Sequence, residues 1–256
     1  MQPGFPEPSA PRPQPVRVNL EQTTSPSVTY GIMAVTGLVY LLQMLSQQLY
    51  GQDYAALFGM KINSAIYAGQ YFRFFTPMLL HGNLLHIGFN MYALFVIGTR
   101  LERVMGHGRF ALLYVLSGFA GNVMSFLFQP AASLGASTAI FGILGAEGVF
   151  IYQNRRYIAN AQGMLTNVVS LAVINLVLGL SGQIDNWGHV GGLIGGTMFA
   201  WFAGPKIGVR EDVYPPVIGD TRTRNDVIIA TILVLAFFGS LATYKLIFVP
   251  PPASTG

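Results

Sequence analysis

Seven stretches of this chain run with almost no charge for roughly the length that crosses a hydrocarbon core of about 30 Å. They lie at 28–48, 83–101, 108–128, 137–153, 164–181, 187–204 and 226–248. A backbone in that medium finds no water, so its amides and carbonyls must be satisfied within the segment, as a helix does. The feature dictates an all-α, polytopic membrane helix bundle. Composition agrees. Apolar residues make up 52% of the chain and charged residues 9%, whereas a soluble domain carries about a quarter charged. The fourth and sixth stretches are short and rich in small residues, which places them among neighbours and starts them below the membrane surface.

The chain divides simply. Residues 1–27 hold Pro3, Pro6, Pro8, Pro11, Pro13, Pro15 and Pro26 and read as a disordered cytoplasmic tail of polyproline character, a linker with no signal-peptide pattern. Residues 28–249 read as one domain and 250–256 as a short tail. The connection 49–82 carries Tyr50, Tyr54, Phe58, Tyr67, Tyr71, Phe72, Phe74 and Phe75, so it is expected to lie in the membrane interface. Basic residues set the orientation. With the N-terminus inside, Arg12, Arg17, Arg100, Arg103, Arg109, Arg155, Arg156, Lys206, Arg210, Arg222 and Arg224 fall inside, against Lys61, Arg73 and Lys245 outside. The expected topology is N-in, C-out, which an odd number of spans permits.

Three polar clusters break the apolar stretches, where polar side chains are costly and usually functional. His81-Gly-Asn-Leu-Leu-His86-Ile-Gly-Phe-Asn90 enters the second span, with His86 and Asn90 on one helix face. Leu134-Gly-Ala-Ser137-Thr138 opens the fourth, and Trp187-Gly188-His189-Val-Gly-Gly opens the sixth. Because spans two, four and six run in the same direction, all three clusters should lie at similar depth near the outer face. A serine hydroxyl needs a base, and a neutral imidazole is the usual one. First-turn amides at the start of span four have no intrahelical acceptor and could serve a developing oxyanion. Gly188, Gly192 and Gly196 recur at four-residue spacing, as do Gly191 and Gly195. Glycines so spaced allow close helix approach, so span six should pack on span four at Gly142 and Ala146 and bring His189 to Ser137.

The His81…His86…Asn90 run, Gly-Ala-Ser137 and Gly188-His189 with its paired glycines, in that order along the chain, resemble the signature of the rhomboid family of intramembrane serine proteases. Tyr71-Phe72-Arg73 resembles that family's aromatic–Arg element in the first loop. The resemblance covers about residues 30–204 and implies a six-helix core, with span seven matching the six-plus-one variety. It implies that Ser137 is the nucleophile, His189 the general base, and His86, Asn90 and the Ser137 amide the oxyanion hole. It also implies a dyad without an acid, transmembrane protein substrates cut in or near their spans at helix-breaking, small residues, and no metal or other cofactor. By analogy, span five or the loop before span six yields to admit substrate. One position departs from the pattern: Thr138 stands where the family usually has Gly, and its branched side chain could crowd the oxyanion site or tighten the helix start.

Other polar residues have plainer readings. Asp185 is expected to cap span six rather than complete a triad. Glu147 lies about 15 Å below Ser137 along a helix and should pair nearer the cytoplasm. Glu102 marks the inner end of span two, His107 is ordinary, and His81 is either near the site or a structural contact. Cysteine is absent, which excludes disulfides, thiol nucleophiles and thiolate metal sites. No basic run interleaves with aromatics, so nucleic acid is not a partner. A zinc protease would need His-Glu-x-x-His or comparable ligands, an aspartyl protease two Asp within spans, and a transporter internal repeats with interrupted helices; none is present. The alternative function is a catalytically silent relative that binds membrane-protein clients. The expected location is a bacterial plasma membrane, on the compactness of the chain and the lack of a transit-peptide pattern.

Overall fold

The computed structural model describes residues 25–181, 184–210 and 217–251. Most of the proline-rich segment expected at 1–27, and of the tail at 250–256, lies outside the described residues. The helices are α1 (Ser27–Tyr50), α2 (Tyr54–Gly59), α3 (Asn63–Tyr67), α4 (Leu84–Ala93), α5 (Thr99–Met105), α6 (His107–Phe128), α7 (Ser137–Gln153), α8 (Ala161–Leu178), α9 (Asn186–Ala203) and α10 (Arg224–Phe248). A π-helical turn, Leu94–Gly98, joins α4 to α5 into one continuous rod. Among the described residues, five helical stretches are long and apolar enough to cross a membrane: α1, α4–α5, α6, α8 and α10. The chain is an integral, multi-pass membrane protein.

Burial shows which helices are central. In α6, 72% of the apolar stretch is buried, against 17% in α1 and α8 and 22% in α10. The shorter α7 and α9 are buried along most of their length and pack on α6 and on each other. The peripheral helices turn Leu41, Leu45, Phe89, Tyr92, Val177, Ile232 and Ile247 outward. Such a surface is stable only against lipid, since water would leave large apolar patches exposed.

Glycine decides how close the central helices come. A Cβ on Gly192 would overlap the carbonyl of Thr138, and one on Gly196 would overlap the backbone of Gly142. Gly191 and Gly195 instead face Met124 and Ala120 of α6. The two four-residue stripes therefore lie on two faces of α9, one for α7 and one for α6. Lipid tails are as apolar as leucine, so close backbone packing rather than hydrophobic exclusion holds such helices together.

The connection 51–83 folds into α2, α3 and two 3₁₀ turns, Tyr71–Phe74 and Thr76–Leu79. Buried Arg73 pins it by donating to the carbonyls of Met60 (2.6 Å) and Leu57 (3.2 Å). Tyr50, Tyr54, Phe58, Tyr71, Phe72 and Phe75 stay exposed, whereas Phe74 is buried.

The all-α expectation misses one element. Strands β1 (Ile207–Arg210) and β2 (Val217–Asp220) pair antiparallel between α9 and α10. Four residues per strand give too short a run for an alternating pattern to be read, though Ile207, Val209, Val217 and Ile218 favour extended backbone. At that end Arg109 of α6 forms an ion pair with Asp220, tying the hairpin to the bundle.

Candidate active site

Ser137 is the first residue of α7 and His189 the fourth of α9. The glycine contacts between these helices bring His189 Nε2 to 2.9 Å from Ser137 Oγ. The imidazole is buried and stacks on Phe141, with ring centroids 4.2 Å apart and planes 13° from parallel. Phe141 lies four residues beyond Ser137, on the same face of α7. That spacing was available in the sequence, although nothing marked the ring as a platform.

The outer nitrogen, His189 Nδ1, is buried and has no hydrogen-bond partner among the described residues. Asp185 does not reach it. Its Oδ1 accepts from the Gly188 N–H at 2.9 Å, the bond expected of an N-cap, and Oδ2 accepts from Ser125 Oγ on α6. The arrangement is a pair, with the acid one turn away at the helix end.

His86 reaches the same place from α4. Gly135, with φ +134°, sits directly before α7, and a Cβ there would stand 2.7 Å from His86 Nε2 and 3.6 Å from Ser137 Oγ. Only glycine tolerates both that backbone angle and that approach. The role of Gly135 was missed in the sequence because Gly-Ala-Ser reads as a motif, without saying which neighbour requires the glycine. Asn90 is buried one turn below His86, and its Nδ2 donates back to the His86 carbonyl at 3.1 Å. The structure thus brings His86 to the serine but keeps the Asn90 amide within its own helix.

His81 lies behind these groups, fully buried, with Nε2 3.5 Å from the Ala136 N–H and its ring edge-on to that of His86. Gln43 of α1 clasps its backbone, accepting from the His81 N–H (3.0 Å) and donating to the His81 carbonyl (3.1 Å). Burial, with a smaller contribution from His86, holds the His81 imidazole down at about 4, so it is neutral at physiological pH. His81 thus lies beside the start of α7, with its backbone held in the segment leading into α4.

Thr138 points away from the serine. Its methyl would lie 2.9 Å from a Cβ on Gly121 and 3.0 Å from one on Gly188, so it fills a glycine-lined notch between α6 and α9. Glu147 pairs with Arg100 at the opposite end of the bundle. Among the described residues no group of three His, Cys, Asp or Glu side chains is placed to hold a metal ion.

A helical membrane bundle with a serine and a histidine in hydrogen-bond contact at one end of its central helices defines a narrow class of membrane protein. Comparison with known proteins gives that class its name. The Rhomboid domain model matches residues 68–206, and the chain belongs to the rhomboid family. Rhomboid protease GluP of Bacillus subtilis (strain 168) is 40% identical over 189 residues, 73% of this chain and 37% of that one. RHOMBOID-like protein 1 of Arabidopsis thaliana is 36% identical over 150 residues, 57% of this chain and 39% of that one. RHOMBOID-like protein 9, chloroplastic, also of Arabidopsis thaliana, is 34% identical over 153 residues, 59% and 35% of the two chains. The matches thus span well under half the length of these relatives.

Proposed function

We propose that this chain is an intramembrane serine endopeptidase that cuts membrane proteins in or near a transmembrane segment. The observation that carries the reading is the 2.9 Å contact between His189 Nε2 and Ser137 Oγ inside a membrane bundle. The bacterial relative's name, a protease, supports it.

In this reading His189 accepts the hydroxyl proton as Ser137 Oγ attacks the scissile carbonyl, then returns it to the leaving amine; water resolves the acyl-enzyme. The Phe141 ring holds the imidazole plane in place of an acid. The tetrahedral oxygen is met by the Ser137 amide, free as a first-turn N–H, by His86 above Gly135, and by Asn90 once its amide turns from the His86 carbonyl. Substrate must present an unwound carbonyl, because a helix keeps its own carbonyls bonded; small, helix-breaking residues at the cut follow. We place α1, α4–α5, α6, α7, α8 and α9 as a six-span core with α10 as a seventh, N-terminus in and C-terminus out, with the serine near the outer face of a bacterial plasma membrane.

The test uses the purified chain in liposomes with a model transmembrane substrate and a fluorophosphonate probe. Cleavage and labelling should both vanish in Ser137→Ala, and cleavage should fall at least about a thousandfold in His189→Ala. Cleavage persisting in Ser137→Ala would overturn the nucleophile. A folded wild type that neither cleaves nor labels would make the chain a silent, client-binding relative.

A further inference from the structure

We propose that Asp185 and Ser125 together form a positioning latch that sets the register of α9, and through it the distance between His189 and Ser137. The inference rests on the reading of those two residues as the catalytic pair.

No hydrogen bond from the far ring nitrogen holds the His189 imidazole. His189 Nδ1 has no partner among the described residues, so the imidazole is aimed by its stack on Phe141 and by the placement of its own backbone. The backbone of α9 meets its neighbours through glycine on two faces, Gly192 and Gly196 toward α7 and Gly191 and Gly195 toward α6. Side chains seat in these glycine faces, Met124 of α6 at Gly191 and Thr138 of α7 at Gly188, but each is an apolar contact without direction along the axis. A directional polar bond at the end of α9 adds what they lack.

Asp185 supplies that bond at the end that carries His189. One carboxylate oxygen accepts the Gly188 N–H, and the His189 N–H donates to the Asp185 carbonyl at 3.1 Å, so the residue is rigidly part of the first turn. The other oxygen accepts from Ser125, a fully buried residue of the central helix α6. The Ser125 hydroxyl is also 3.2 Å from Ser133 Oγ in the α6–α7 connection. Ser133 in turn exchanges backbone hydrogen bonds with Lys61 (2.9 and 3.1 Å), and buried Lys61 Nζ donates to the carbonyls of Gln129 (2.7 Å) and Ala131 (2.6 Å). The chain of contacts runs from the start of α9 to the segment that delivers Ser137 into α7. The adjacent Asn186 also bonds outward, to the Leu176 carbonyl at 2.9 Å. That partner lies on peripheral α8, so α6 offers the firmer reference.

Capping and latching separate by substitution. Asp185→Ser keeps a good helix cap but is too short to reach Ser125. Ser125→Ala keeps the cap and removes the partner. Asp185→Asn retains both an acceptor for Gly188 and a group that can bond Ser125. Fluorophosphonate labelling rate and kcat on a transmembrane substrate are measured in liposomes, beside thermal unfolding midpoints. We expect Asp185→Ser and Ser125→Ala each to lose about ten- to a hundredfold in labelling rate and kcat, with KM and midpoint near wild type. The double variant should lose no more than either single one, and Asp185→Asn should stay within about threefold of wild type. Labelling unchanged in the two single variants, or falling only in step with the unfolding midpoint, would overturn the latch. If Ser137→Ala still cleaves, the catalytic reading fails instead, a result that these variants cannot mimic.

Discussion

Thr138 follows Ser137, the nucleophile proposed above, where the sequence leads us to expect Gly, and its surroundings show where its branched side chain goes. The side chain lies against Gly121 and Gly188, where two missing Cβ atoms make room for one methyl. Thr138→Gly should therefore leave the fluorophosphonate labelling rate within a few-fold of wild type, while emptying the notch and loosening the helix start should cost about 1–2 kcal/mol. The two effects are read side by side from labelling and thermal unfolding. His81 gives a pH prediction with a definite sign. Its native imidazole titrates near 4, below the ordinary value of about 6.5, so the unfolded chain binds the proton first as pH falls. The stability it contributes is complete above about pH 6.5 and is lost toward pH 4, amounting to about 2 kcal/mol between pH 6.5 and 5. His81→Gln, which does not titrate, should show a smaller drop in unfolding midpoint between pH 7 and 5 than wild type.

At the scale of helices, the contact between α7 and α9 is the device on which the site depends. Gly196→Ala puts a methyl into the backbone of Gly142. It should cost about 1–3 kcal/mol as an overpacked contact and reduce labelling of Ser137, because the helices can only part. Gly239→Ala on α10, where an added Cβ meets nothing within 4 Å, should leave labelling unchanged and raise stability by up to about 1 kcal/mol through helix propensity. Labelling equally impaired in both would show that helix spacing is not what matters. These helices were legible from the sequence to within a few residues, since long apolar runs announce themselves, and the glycine spacing pointed to the α7–α9 contact. Ser137, His189 and the capping of α9 by Asp185 were legible for the same reason: each rests on local pattern. What escaped depends on partners distant in sequence. The destination of the Thr138 methyl is decided by Gly121, the second bond of Asp185 by Ser125, and the hairpin by strands too short to carry a period.

For the molecule as a whole, α1 is a peripheral rod fastened chiefly by polar bonds at its two ends. At one end Gln43 clasps the backbone of His81. At the other, the fully buried Glu102 carboxylate accepts from the N–H groups of Val28 (2.9 Å) and Thr29 (2.7 Å) and from Thr29 Oγ1 (2.6 Å), capping a helix whose own N-cap, Pro26, cannot. His107 Nδ1 closes the group at 2.6 Å from Glu102, so the residue read as ordinary is part of this clasp. Glu102→Ala strands two amides in a buried place and should lower stability by about 2–4 kcal/mol. Glu102→Gln, which keeps one acceptor oxygen, should lose less, as thermal unfolding in one lipid composition would show. The placement of these bonds also bears on how the protein is made. The His81 backbone that Gln43 clasps lies 38 residues further along the chain, and the carboxylate that caps Thr29 lies 73. During synthesis α1 thus emerges ahead of both, with a bare amino end and with Asp53, ten residues on, as the nearer partner of its Gln43 amide. It becomes a fixed part of the bundle only when the end of the second hydrophobic stretch emerges and Glu102 arrives to close its first turn.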